Sequence, residues 1–133
     1  MEIFNLVVLA LSGLLLTFAG GTRLFRPIKS LCLNGFSEKY GDGVEKDATI
    51  ISEMRGAGGF TLFSGLTILA GTMMPSVRPT SFAVGIIIFL GYALGRSLSM
   101  VVEGKPHEST VKGLFSEALF AVLHIVCFVM LMR

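Results

Sequence analysis

A chain of 133 residues has room for one compact unit and not for two ordinary domains. Of its residues 53% are hydrophobic and only 15% are charged, against about 25% charged in a soluble domain, and its mean hydropathy is +0.77. That composition, with a net charge of only +2, argues against a water-soluble globule, a disordered segment and a nucleic-acid binder, and points to an integral membrane protein.

A helix needs about 20 mostly apolar residues to cross the hydrocarbon core of a bilayer. Residues 3–22 form the first such run, with no charged side chain. Only Met1-Glu2 precede it, without Lys or Arg, whereas a cleaved signal opens with positive charge, so a retained helix is expected. Pro27, Asn34-Gly35 and Gly41-Asp42-Gly43 punctuate the loop that follows. Within it Leu31, Leu33 and Phe36 sit among charges, as in an interfacial segment. The second run, residues 48–74, is charged only near its start, at Glu53 and Arg55. Pro75 and Pro79 bracket a tight link to the third, residues 80–102, whose one charge is Arg96. Gly104-Lys105-Pro106 opens the last link, and the fourth run, residues 113–132, carries Glu117 and His124. Strand-like alternation is absent, which argues against a membrane β-barrel. The expected fold is all-α: a polytopic membrane protein, one antiparallel bundle of four transmembrane helices over residues 1–133.

Orientation follows from the basic residues. Arg23, Arg26, Lys29, Lys39, Lys46, Lys105 and Lys112 crowd the first and third loops, while Arg78 and Arg133 stand alone on the other side. Positive loops stay in the cytoplasm, so both termini are expected outside. Cys32 and Cys127 then lie near opposite faces, too far apart to bridge. With His107 and His124 they are too scattered for a zinc site, and no metal or cofactor is expected. Span 3 carries Gly91-Tyr92-Ala93-Leu94-Gly95, and span 2 has Gly56, Gly58, Gly59, Gly65 and Gly71. Such residues let helix backbones approach in lipid, and internal packing is the expected use.

The charges carry the functional reading. At 1.5 Å per residue, Glu53 lies about 7.5 Å beyond Ala48, Arg96 about 9 Å before Val102, and Glu117 about 6 Å beyond Gly113. All three fall in one layer near the cytoplasmic edge of the core. An inward cluster with Arg96 between two carboxylates spares each charge from lipid. Arg55, two residues from Glu53, points elsewhere, towards headgroups. Tyr92, Arg96, Ser99 and Glu103 share a stripe of span 3, and Glu117 and His124 share one of span 4. A polar line from Glu103 and Arg96 through Glu117 to His124 is one expectation. A structural cluster with His124 as a hydrogen-bonded core residue is the other.

At these residues the chain resembles the DUF4345 family, bacterial four-helix membrane proteins grouped as a domain of unknown function. Arg23 closing the first span, Glu53-Met54-Arg55 before Gly58-Gly59, Gly95-Arg96, Glu103-Gly104-Lys105-Pro106 and Glu117 carry the resemblance. It implies four spans, the bacterial inner membrane, and weight on Glu53, Arg55, Arg96 and Glu117. It implies no reaction.

The leading functional expectation is a non-catalytic accessory or assembly subunit, or a homo-oligomer, held by the buried Glu/Arg cluster. The alternative is a binder or carrier of a small amphiphile, lipid or quinone, with its headgroup at Glu53, Arg96 and Glu117. Expected partners are membrane lipid, the chain itself or a larger membrane complex, and no nucleic acid. Glu117 or Glu53 as a general acid or base is the least favoured reading, since no catalytic motif accompanies them.

Overall fold

The computed structural model describes residues 2–35 and 47–133. Its helices are α1 (Glu2–Phe25), α2 (Pro27–Leu33), α3 (Ala48–Met73), α4 (Arg78–Val102) and α5 (Glu108–Leu131). One 3-10 turn, Pro75–Val77, joins α3 to α4, and the described residues contain no strand. The four long helices are each long and apolar enough to cross a membrane. The stretch expected to be interfacial contains the short helix α2, with Pro27 in its first turn and Leu31 buried while Leu33 is exposed. Phe36, Lys39, Lys46 and the Gly41-Asp42-Gly43 turn lie outside the described residues.

Local chemistry sets the helix ends. Asp47 caps α3 by accepting from the Thr49 and Ile50 amides at 2.9 and 3.2 Å. The fifth helix starts at Glu108, ahead of its apolar run, because His107 caps it and a Glu108–Lys112 ion pair of 2.7 Å braces its first turn. Glu103 caps the end of α4, and Gly104 follows at φ +96°, where a side chain would be strained.

The bundle consists of two tight antiparallel pairs. Helices α1 and α3 meet backbone to backbone. A Cβ on Gly65 would lie 2.5 Å from the Thr17 nitrogen, one on Gly58 2.6 Å from the Leu24 nitrogen, and one on Gly20 would run into the Leu62 backbone. Arg55 locks the same pair, donating to the Leu24 carbonyl at 2.6 Å. Sequence reasoning sent Arg55 to the headgroups; in the structure it is exposed and donates to a carbonyl in the last turn of α1, where the helix dipole favours a cation. The second pair, α4 and α5, closes around Gly85, whose missing side chain is replaced by the His124 imidazole. Ser81 ties α4 to α3 by donating to the Thr67 carbonyl (2.8 Å), and Arg78 bridges to Glu2 (3.2 Å).

Leu9, Ile68, Phe82 and Phe89 fill the space between the pairs. Outward faces are also apolar, with Phe18, Phe63 and Phe115 all at least 70% exposed, as suits a lipid solvent rather than water. The expected internal use of span 3's glycines does not occur. A Cβ on Gly91 or Gly95 would meet nothing within 4 Å. Glycine spacing permits a close approach; the rotation of α4, set by burying Phe82, Gly85, Ile88 and Phe89, turns these two outward.

Candidate functional site

Near the end of the bundle where α2 lies, side chains from the four long helices converge on one polar chamber. Arg23 comes from the last turn of α1, Thr61 from α3, Tyr92 and Arg96 from α4, and Glu117 from α5. Arg96 pairs with Glu117, Nη2 to Oε1, at 3.2 Å, and its Nη1 donates to the Thr110 carbonyl at 3.1 Å. The Tyr92 hydroxyl lies 3.0 Å from both Arg23 Nη1, which donates to it, and Thr61 Oγ1. Both guanidinium carbons stand within cation–π reach of the Tyr92 ring, Arg23 at 5.4 Å and Arg96 at 5.7 Å from its centroid. Gly113 makes room for Arg96: a Cβ there would lie 2.5 Å from its Nη1.

These groups line a half-open space of about 230 Å³. Leu15, Leu16 and Ala19 of α1 wall one side, and Asn34, Ser109, Gly113 and Ser116 edge it further. Phe89 lines the space too. Two guanidiniums against one carboxylate leave the lining with an excess of positive charge. One acceptor is left over. Glu117 Oε2 is buried and has no hydrogen-bond partner among the described residues. A bare carboxylate oxygen in such a setting is costly and wants a donor.

Several residues singled out from sequence stand elsewhere. Glu53 is exposed and is not the carboxylate that Arg96 pairs with. It lies five residues before Gly58, which puts it about 140° around α3 from the face packed on α1. Ser99 and Glu103 share Tyr92's stripe but are exposed beyond the chamber. His124 is fully buried and separate from it. Its Nδ1–H donates to the Phe120 carbonyl (2.8 Å), and its Nε2 lies 3.2 Å from Ser12 Oγ, whose hydroxyl donates to the Val8 carbonyl at 2.7 Å. Phe89 stacks on Phe120 (5.1 Å) and packs on His124 (5.4 Å), so aromatic rings interrupt the polar line expected between Glu117 and His124. Sequence reasoning missed Arg23, Thr61 and Gly113 as site residues. Arg23 had a signal: it ends the first span at the layer of the other charges.

The family model of the domain of unknown function DUF4345 matches residues 4–128. The chain belongs to this family. The match takes in every residue that builds the chamber. No curated protein and no solved structure matches the chain.

Proposed function

We propose that this DUF4345 protein binds a small amphiphile in the membrane, holding its polar headgroup in the Arg23–Tyr92–Arg96–Glu117 chamber. One observation carries the reading: a half-open space lined by two guanidiniums and by Glu117, whose second oxygen is buried beside it without a partner among the described residues. Ion pairs that merely fix a bundle close on themselves. This one leaves room and valence for a guest. The complementary headgroup has an anionic or carbonyl oxygen for the guanidiniums and a hydroxyl for Glu117. Phospholipid glycerol headgroups and quinols are both of that kind.

On this reading the chamber faces the cytoplasmic side of a bacterial inner membrane, with both termini outside, and the basic residues near it support that orientation. A second reading, an accessory subunit or homo-oligomer, draws on the outward Gly91 and Gly95. It draws less on the charges, since Arg96 and Glu117 pair within one chain.

Native mass spectrometry of the protein released from lipid tests the choice. A retained amphiphile on a monomer, lost in Arg96→Leu and in Glu117→Gln, is the expected result. A bare particle in the unaltered protein, with neither substitution changing its spectrum, would overturn it. A particle of two or more bare chains would favour the second reading.

A further inference from the structure

Among the described residues the outward glycines of α4 have no helix to pack against, and the surface above them is hollow. Gly91 and Gly95 floor a groove of about 410 Å³ between Phe60 of α3 and Ile87 of α4. It continues into a second hollow of about 330 Å³ that shares Phe60, Ile87 and Ile88 and reaches Thr67 and Val84. The hydroxyls of Ser64 and Thr67 donate to their own helix, to Phe60 and Phe63 carbonyls, so they leave this second hollow with no free donor. From Arg96 to Val84 the groove follows twelve residues of α4, about 18 Å. One leaflet of hydrocarbon core is about 15 Å deep.

At its upper end the groove meets the chamber. Tyr92 and Arg96 line both spaces, so their side chains form the partition between a polar room and a lipid-facing slot. Building on the headgroup reading, we propose that the groove is the tail site: a single hydrocarbon chain lies along α4, and the amphiphile reaches the chamber sideways, past Tyr92 and Arg96. The occupant is a chain rather than a second copy of the protein for two reasons. The groove is continuous with a charged chamber that suits a headgroup. Its glycines are recessed beside Phe60 and Ile87, which are 62% and 67% exposed and stand where a partner helix would have to approach.

Gly91→Leu and Gly95→Leu fill the groove at little cost to the fold, because a Cβ at either position meets nothing within 4 Å among the described residues. The test uses the full chain in nanodiscs, with lysophosphatidylglycerol as the tailed probe and glycerol phosphate as the headgroup alone. The expected result is that Gly91→Leu weakens the tailed probe by about tenfold and leaves glycerol phosphate unchanged. Arg96→Gln weakens both. A tailed probe bound as well by Gly91→Leu and Gly95→Leu as by the original chain overturns the tail site, and the headgroup reading survives if Arg96→Gln still fails. Binding of both probes untouched by Arg96→Gln removes the headgroup reading itself. A particle mass that halves on Gly91→Leu assigns the groove to a second copy and also overturns the proposal.

Discussion

Two polar clusters sit inside this bundle, and they are built to opposite plans. His124 and Ser12 form a closed one. The imidazole occupies the place of a missing Gly85 side chain, both ring nitrogens have partners, and Phe82, Phe89 and Phe120 enclose it. The Arg23–Tyr92–Arg96–Glu117 cluster is open, with about 230 Å³ of space and a carboxylate oxygen left without a partner. Polarity inside a membrane bundle therefore does not identify a site. Residual space together with residual hydrogen-bonding capacity does, and only one of the two clusters has both.

The contrast predicts different responses to substitution. The largest effect belongs to the closed cluster. Gly85→Leu drives a side chain into the imidazole, and overpacking there destabilises by about 3 kcal/mol. Thermal unfolding in detergent reads this, and adding His124→Ala recovers part of the loss because the two positions share one space. An unchanged unfolding temperature in Gly85→Leu alone would show that the pocket is not closed.

Arg96→Leu comes next. It strands the Glu117 carboxylate, yet the two side chains keep 20% and 14% of their exposure, so the loss is about 2 kcal/mol rather than that of a sealed pair. The same substitution abolishes amphiphile retention in native mass spectrometry. In His124→Gln retention persists, since Phe89 separates that residue from the chamber. Retention lost equally in both variants would break the distinction between the clusters.

How much of this was legible beforehand follows the same physics. Apolar runs longer than a bilayer announce four helices regardless of partners, and depth along each run brought Arg96 and Glu117 to one layer. Depth gives no azimuth. Glu53 was expected in that layer but is exposed and turned away from the face packed on α1, and Arg23 was passed over although it reaches Tyr92. The Gly91/Gly95 pattern states that backbone is accessible, and only the packing of Gly85 on His124 tells which face of α4 is turned inwards. The α1–α3 glycines read correctly in kind, yet nothing in their spacing says that Gly58 and Gly65 are used while Gly56 and Gly59 are not.

Ser12→Ala is a smaller perturbation of the closed cluster. It deletes the hydroxyl that lies 3.2 Å from His124 Nε2 and donates to the Val8 carbonyl, a buried hydrogen-bonding group worth about 1 kcal/mol. Chamber binding stays as it was, and an equilibrium unfolding curve measures the shift.

The smallest change in stability should accompany one of the clearest changes in binding. A Cβ at Gly113 would lie 2.5 Å from Arg96 Nη1, but the atom it meets is the end of a flexible side chain, not backbone. In Gly113→Ala the guanidinium moves aside, and the better helix propensity of alanine offsets the lost contact to Thr110. Unfolding stability stays within about 0.5 kcal/mol. The chamber, however, loses the registration of Arg96 against Glu117, and retention of lysophosphatidylglycerol falls. A purely structural ion pair would show the two readouts moving together. Their separation at one methyl group is what distinguishes a site that positions charge for a guest from a clamp that only holds helices.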